Sequence, residues 1–290
     1  MHTYFTPFFL PCNNNPGDSL FCVYYPAVQP ARTDVAQQNI SNKKAVVFIP
    51  PFAEEMNKSR HLISSQARSL ADAGVSSLIV DLYGTGDSSA DFSEARWRIW
   101  VDDVRQSIEW LQNKEYSEIS CICLRLGGLL ALDVAASTAI PIEKIVWWQP
   151  VLNGEMHLRQ FLRLRSAQGM ISSNHSTTEN TQELYDRMVA GELLEIGGYD
   201  LHPDMGGTMI EKQANSFVAS PSCMNLKFDI IELVSSEGKQ SSLPSVNLVR
   251  QLQAAGHKAK SHAVIGEHFW NAREIHLNQA LIQTTTSVLS

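Results

Sequence analysis

Residues 117–132 read Ser-Glu-Ile-Ser-Cys-Ile-Cys-Leu-Arg-Leu-Gly-Gly-Leu-Leu-Ala-Leu, and this stretch decides the fold. Its first half is apolar and compact, as a buried strand is, and its second half opens a helix at two glycines. A tight turn is predicted between the two halves, with Arg125 at its tip. A strand that leads directly into a helix is the repeating unit of a mostly parallel sheet with helices on both faces.

Residues 123–127, Cys-Leu-Arg-Leu-Gly, have the spacing of a nucleophile elbow, Gly-x-Ser-x-Gly, in which serine occupies a strained turn. Arginine stands at the serine position here, and an arginine that stays protonated cannot attack a carbonyl carbon. Three interpretations of Arg125 stay open: an idle surface charge, a structural ion pair with an acid such as Glu54 or Glu55, and an anion-binding group. The nearby helix start and the bidentate guanidinium fork support the third, which we place level with the structural ion pair and above an idle surface charge.

The rest of the chain continues the alternation of apolar runs and helical periodicity. On the long helix from about residue 97, Asp102, Asp103 and Arg105 are expected to face water. Strands are predicted in residues 1–12 and at residues 21–25, 45–49, 77–82, 117–124, 144–148, 228–234 and 261–265. Residues 31–43 look like a loop, and residues 151–225 show no convincing strand. We therefore predict a core at residues 1–150 and 226–290, with residues 151–225 inserted as a cap.

Composition narrows the classes of function. The chain has 290 residues and a net charge of −7, which argues against a nucleic-acid partner. It has no apolar run long enough to span a bilayer and no recognisable signal peptide. Five cysteines without ligand or disulfide spacing favour a reducing, cytoplasmic compartment, and no metal or cofactor is expected. The expected partner is a small molecule, possibly anionic, and the oligomeric state is left open.

Two residues stand where a hydrolytic triad would have its base and acid. His268 follows the last predicted strand, and Glu237 follows the strand at 228–234; each is equally an ordinary surface residue, and Asp229 is a weaker candidate acid. The loop at 50–60 follows the strand that normally leads to an oxyanion loop. The candidate ligand-binding residues are Arg125, Leu126, Phe52 and Glu54. A basic helix at 157–165 is expected to add three more arginines to a cationic pocket.

Taken together, these motifs resemble the α/β-hydrolase superfamily over nearly the whole chain. More narrowly, the chain resembles the bacterial group named exosortase A system-associated hydrolase 2. The segments that carry this resemblance are residues 50–61, 84–97, 124–127, 148–151 and 160–165. The resemblance implies a protein from a setting of exopolysaccharide production and exosortase-dependent sorting. Members of that group also resemble this chain in carrying arginine at the elbow, so the group's name does not settle the chemistry. We expect either a hydrolase-like protein that acts on or binds a small acyl or anionic ligand, or a non-catalytic binding or scaffold protein.

Overall fold

The computed structural model describes residues 5–13, 15–28, 43–137, 142–171, 179–218, 225–272 and 274–290. Within these ranges the strands are β1 (Thr6–Pro11), β2 (Ser19–Tyr25), β3 (Lys44–Ile49), β4 (Ser76–Val80), β5 (Glu118–Leu124), β6 (Lys144–Trp148), β7 (Leu194–Ile196), β8 (Tyr199–Leu201), β9 (Lys227–Val234) and β10 (Lys258–Ile265). The α-helices are α1 (Glu54–Asp72), α2 (Trp97–Asn113), α3 (Gly127–Ser137), α4 (Gly154–Ile171), α5 (Thr181–Val189), α6 (Pro203–Glu211), α7 (Ala214–Val218), α8 (Leu243–Ala254) and α9 (Gln279–Leu289).

The main sheet has eight strands in the order β1-β2-β4-β3-β5-β6-β9-β10. The six strands from β4 to β10 are parallel, whereas β2 is antiparallel to both of its neighbours. From β3 the chain first crosses to β4 on one side and then returns to β5 on the other. The strand order therefore reverses between β3 and β5, and a crevice opens outside the carboxyl ends of strands at such a switch point.

Two apolar cores cover the two faces of this sheet. Consecutive residues of a strand point to opposite faces, so Trp147 joins the core beneath α2, α3 and α8, whereas Trp148 joins the core beneath α1 and α9. Both indole rings are about 1% exposed, and Trp148 Nε1 donates to Thr285 Oγ1 at 2.9 Å. Because parallel strands are buried on both faces, they read as continuous apolar runs in the sequence. The predicted fold class, a mostly parallel sheet with helices on both faces, is confirmed.

The chain between β6 and β9 contributes α4 to α7 and the separate hairpin of β7 and β8. The prediction that residues 151–225 lack strands was wrong, because β7 and β8 are only three residues long and too short to show an alternating pattern. In this segment α4 packs on α5, α6 and β7, while α6 also contacts α2 of the core. The predicted loop at 31–43 lies almost entirely outside the described residues.

Asp103 differs from its predicted position at the surface. It is 3% exposed and its Oδ2 accepts a 2.9 Å hydrogen bond from the Tyr83 N–H. Burial raises the pKa of Asp103 to about 7. The helical stripe identifies the apolar face of α2 correctly, but it cannot show that a loop after β4 covers the polar residue beside that stripe.

Candidate functional site

Strained backbone marks the carboxyl edge of the parallel sheet. Ala53, Arg125 and Gln149 follow β3, β5 and β6, and they have positive φ values of 51°, 55° and 43°. They are half of the non-glycine residues with positive φ in the described chain. Side chains with a Cβ adopt this region at a cost of about 1–3 kcal/mol, and such residues concentrate at functional sites. The site is therefore sought at this edge, beside the reversal in strand order.

The turn between β5 and α3 is held rigidly around Arg125. The Arg125 N–H donates to the Trp148 carbonyl at 3.0 Å, and the Arg125 carbonyl accepts from Trp147 Nε1 at 2.7 Å. A Cβ on Gly127 would lie 2.6 Å from the Pro50 carbonyl oxygen, and one on Gly128 would overlap the Trp147 ring. The two glycines thus let α3 start in direct contact with β3 and β6, which fixes the position of the Arg125 side chain.

The Arg125 guanidinium lies between a carboxylate and an aromatic ring. Its Nε donates to Glu55 Oε1 at 3.2 Å, and its Cζ lies 5.3 Å from the centre of the Trp270 ring. The side chains of Arg125 and Glu55 are 17% and 20% exposed. Within the described part of the chain, the two Nη groups of Arg125 have no hydrogen-bond partner. Four of the five N–H donors of the guanidinium are therefore available to a ligand.

Glu55 is only partly satisfied by this ion pair. Its Oε2 is buried and has no hydrogen-bond partner among the described residues. Burial raises the pKa of Glu55, and the charge and hydrogen bond of Arg125 offset the rise only in part. The carboxyl group consequently holds a proton more readily than an exposed glutamate does.

A cavity of about 270 Å³ adjoins the guanidinium, and we call it the elbow cavity. Its wall combines aromatic rings with charged and amide groups. It is lined by Phe52, Ala53, Glu54, Glu55, Lys58, Arg125, His157, Gln160, Phe161, Leu164, Trp270 and Asn271. Apolar walls with a few convergent polar groups are typical of small-molecule sites.

His157 brings a neutral imidazole to the elbow cavity. It is 5% exposed, and its Nδ1 has no hydrogen-bond partner in the described ranges. Burial, and to a smaller extent the charge of Arg125, lowers the pKa of His157 to about 3. His157 was not among the predicted site residues. Its spacing to Phe161 and Leu164, four and seven residues, places all three on one helix face and was the available signal.

The predicted triad residues lie at the surface and are not joined. His268 is exposed, and its ring stacks on Trp270 with 4.7 Å between the centroids. Glu237 is exposed in the loop after β9. No hydrogen bond or ion pair links His268 to Glu237, or His268 to a hydroxyl or thiol, among the residues that the structure describes. Asp229 lies near the opposite end of β9, where it contacts His262 and Lys144.

The predicted ligand-binding residues fall into two groups. Phe52 and Glu54 line the elbow cavity with Arg125, although Glu54 Oε2 also accepts a 3.0 Å hydrogen bond from the Tyr199 hydroxyl of β8. Leu126 is 2% exposed in the core beneath α3 and does not line the cavity. Its contribution to a site is limited to its backbone.

The arginines of α4 do not join Arg125, so the expected four-arginine pocket was wrong. Arg159 pairs with Glu155 at 3.0 Å and stacks over the Tyr185 ring, and Arg165 pairs with Glu179 at 2.7 Å. These arginines face α5 and the chain before it, because the opposite face of α4 presents apolar side chains and His157 to the cavity.

Two nucleophilic side chains near the carboxyl edge, Ser59 and Cys123, are occupied or buried. Ser59 Oγ donates to the Glu55 carbonyl within α1, at 2.6 Å. Cys123 is 0% exposed, and burial raises the pKa of its thiol well above the usual range. In the described ranges, no three His, Cys, Asp or Glu side chains are grouped as metal ligands. Nor does any described helix have the length and apolarity needed to cross a membrane.

The doubly wound sheet, its strand order and the turn after β5 define the chain as an α/β-hydrolase fold. The family model for serine aminopeptidase, S33, matches residues 40–218. The chain belongs to this family. No protein with a curated description matches it significantly.

Solved structures show the same fold at low sequence identity. A thermostable carboxyl esterase from Bacillus coagulans, in complex with glycerol, superposes with a TM-score of 0.62 and 12% identity over 99% of this chain and 98% of that one. Est1E from Butyrivibrio proteoclasticus, with ferulic acid bound, gives 0.60 and 14% over 97% and 96%. A thioesterase domain from the curacin biosynthetic pathway gives 0.55 and 13% over 99% of each chain. At these identities the likeness concerns the fold alone.

Proposed function

We propose that this protein binds a small carboxylate-bearing molecule in the elbow cavity, with Arg125 as the group that holds the carboxylate. The observation that carries the proposal is the guanidinium itself, which adjoins the cavity and, among the described residues, bonds to Glu55 through Nε and has no partner at either Nη. Each hydrogen bond of a bidentate arginine–carboxylate contact contributes about 1.5–3 kcal/mol, compared with about 0.5–1.5 kcal/mol for a neutral hydrogen bond.

The walls of the cavity suggest the body of that ligand. Phe52, Phe161 and Trp270 surround the guanidinium with apolar surface, and the volume of about 270 Å³ lies just below the usual range for drug-sized ligands. A small aromatic or short aliphatic acid combines the required charge with the required apolar area. Ferulic acid, the ligand bound to Est1E, belongs to this chemical class.

The residue at the turn after β5, Arg125, also supports a non-covalent role. Arg125 takes the place in the turn where a nucleophilic serine is expected, and His268 lies at the surface with no hydrogen bond to a described hydroxyl. The protein would then be a binding protein with a hydrolase fold, which retains the pocket and has lost serine catalysis. We further propose, from the resemblance of its motifs, that it works in the cytoplasm of a bacterium with an exosortase-linked exopolysaccharide pathway, and that residues 151–225 act as a cap.

Thermal shift and calorimetry with a panel of acids test the binding proposal. The panel pairs benzoate, ferulate and hexanoate with their neutral methyl esters. We expect the acids to raise the melting temperature and the esters to have little effect. Arg125→Lys should weaken acid binding by about tenfold because the fork is lost, and Arg125→Met should weaken it more.

The matched control is Arg163→Met, which removes an exposed arginine of α4 outside the cavity. It should leave acid binding unchanged. Equal binding of acids and esters, or acid affinities that survive Arg125→Met, would contradict a carboxylate anchor at Arg125.

A second candidate, hydrolysis by an activated water, is favoured by Glu55. This carboxyl group lines the cavity, has an unpartnered oxygen and has a raised pKa, which are the attributes of a general base. Turnover of p-nitrophenyl acetate that disappears in Glu55→Gln, without labelling by a fluorophosphonate probe, would establish this activity. Stoichiometric labelling by the probe would point instead to a nucleophilic serine.

A further inference from the structure

Three lysines lie side by side at the amino edge of the sheet, opposite the elbow cavity. The strand registers pair Lys144 of β6 with Lys227 of β9, and Lys227 with Lys258 of β10. We call Lys144, Lys227 and Lys258 the lysine row. Like charges directly across neighbouring strands are destabilising, so such a row in a chain of net charge −7 requires a physical explanation.

Acidic neighbours neutralise only part of this charge. Lys144 Nζ lies 3.1 Å from Asp229 Oδ2, and Lys227 pairs with Glu143. Lys258, and Lys260 two residues further along β10, are exposed and have no acidic partner within the described ranges. The arrangement leaves two uncompensated cations beside two compensated ones.

Asp229 is itself committed to the protein. Its Oδ1 lies 2.8 Å from His262 Nε2, while its Oδ2 faces Lys144. Burial by itself would raise the pKa of Asp229, but the contacts with His262 and Lys144 outweigh burial and lower that pKa. The carboxylate therefore stays ionised and holds Lys144 and His262 in place, without reaching Lys258 or Lys260.

The lysines surround a concave space of about 670 Å³, which we call the amino-edge cavity. It is lined by Lys144, Lys227, Phe228, Asp229, Gln253, His257, Lys258, Ala259, Lys260, His262, Ser287 and Val288. His257 is 5% exposed and its Nδ1 lacks a hydrogen-bond partner among the described residues. The cavity thus offers four ammonium groups, of which those of Lys258 and Lys260 have no acidic partner among the described residues.

This site is separate from the elbow cavity. β9 begins at Lys227, which lines the amino-edge cavity, and ends at Val234 at the opposite edge of the sheet. Eight residues of strand span roughly 23 Å, and the two cavities share no lining residue.

We propose that the amino-edge cavity binds a small anion of the pyrophosphate or phosphate-ester class. Lysine binds phosphate as a compact point charge, and several lysines around one concave site match an anion that carries two or more charges. A singly charged carboxylate would leave most of the repulsion in place. A nucleic-acid polymer is disfavoured, because the negative net charge of the protein would repel its length outside the cavity.

Calorimetry with inorganic pyrophosphate tests the assignment, at about 50 and about 300 mM salt. We expect binding that weakens with salt and that falls by at least about tenfold in Lys258→Gln/Lys260→Gln. Lys43→Gln/Lys239→Gln removes the same charge from exposed lysines outside the cavity and should change the affinity by less than about twofold. Lys258→Arg/Lys260→Arg keeps the charge and should retain most of the affinity, which separates lost binding from lost folding.

Arg125→Met distinguishes this site from the elbow cavity. It should leave pyrophosphate binding intact even if it abolishes carboxylate binding. The assignment would be overturned by absence of pyrophosphate binding in the parent, by unchanged affinity in the double glutamine variant, or by an equal loss in the control variant. Sulfate that binds as tightly as pyrophosphate at both salt concentrations would likewise mean general ionic screening rather than a site.

Discussion

The two edges of the parallel sheet use positive charge in opposite ways. At the carboxyl edge Arg125 is 17% exposed, lies beside Trp270 and donates a hydrogen bond to the carboxylate of Glu55. At the amino edge four lysines line an open cavity, and two of them are exposed and unpaired among the described residues. The difference between the two edges indicates that exposure to solvent, more than the number of charges, decides which ligands a basic side chain can bind.

Solvation also sets what each edge can recognise. Around Arg125, aromatic walls exclude water and strengthen each electrostatic contact, so the geometry of one ligand group matters. Around the lysine row, water and salt screen the charges within about 8–10 Å, so the number of charges on the ligand matters more than its shape. A variant at one edge should leave ligand binding at the other edge unchanged, so the second edge serves as an internal control.

Gly128→Ala should have the largest effect, because the new methyl group would overlap the Trp147 ring. Trp147 is 1% exposed and donates to the Arg125 carbonyl, so its displacement disturbs both the core and the turn. Overpacking of this kind lowers the free energy of unfolding by about 3 kcal/mol. Urea denaturation measures the loss, and carboxylate binding should fall while pyrophosphate binding at the other edge persists.

Gly207→Ala is the matched control, since a Cβ on Gly207 of α6 would meet nothing within 4 Å. It should leave stability unchanged or raise it by up to about 1 kcal/mol, as alanine does within helices. A parent-like stability in Gly128→Ala would show that the Trp147 ring does not pack against Gly128.

His157 should make the carboxyl edge sensitive to mild acid. Its pKa is about 3 in the folded chain and about 6.5 in an unfolded one, so its contribution to stability is complete above about pH 6.5 and is lost as the pH falls towards 3. At about pH 5 the loss amounts to about 2 kcal/mol. His157→Phe removes this rise with pH while Asp103, whose pKa burial raises to about 7, still contributes a fall, so the slope of unfolding free energy against pH should become more negative between about pH 5 and 6.5.

At the amino edge, burial lowers the pKa of His257, which therefore responds below about pH 6.5 as His157 does, whereas Asp229 responds only at lower pH. The lowered pKa of Asp229 means that its contribution to stability is present above its unfolded pKa of about 3.9 and is lost only below it.

His61→Gln, at an exposed position of α1, is the control for His157→Phe and should keep the parent's slope of unfolding free energy between about pH 5 and 6.5. A slope in His157→Phe equal to the parent's would show that His157 is not the group that titrates.

Arg125→Met should lower the free energy of unfolding by about 1–2 kcal/mol, because Glu55 loses its only hydrogen-bond donor among the described residues. The loss stays below that of a fully buried ion pair because Glu55 takes up a proton when the arginine is removed. Arg125→Met/Glu55→Gln should recover part of it. Thermal denaturation of the four proteins in this double-mutant cycle gives the coupling energy, and additive effects would contradict the pair.

Lys258→Gln should have the smallest effect and the opposite sign. Removing one charge of the lysine row reduces repulsion, so stability should rise by about 0.3 kcal/mol at low salt. The gain should vanish at about 1 M salt, where the Debye length falls to about 3 Å. A decrease in stability at low salt would show that Lys258 makes a favourable contact in the folded protein.

Local patterns in the sequence predict most of the core. The apolar runs of β3, β5, β6 and β9 are visible because strands covered on both faces lose their polar alternation. The turn at Arg125 was found from the spacing of a few residues, since strand, turn and helix follow each other along the chain. The short strands β7 and β8 and the burial of Asp103 were missed because both depend on what packs over them.

The sequence by itself determined that an arginine stands at the turn after β5 and that an acid of the loop at 50–60 is available to it. Only the tertiary structure decided that this acid is Glu55, 70 residues away, with one carboxylate oxygen left unpartnered. The tertiary structure also decided the burial of His157 and the side-by-side positions of the three lysines. The physical reason is range: turns and periodicities arise between neighbours in the chain, whereas ion pairs, desolvation and strand register arise between residues that only folding brings together.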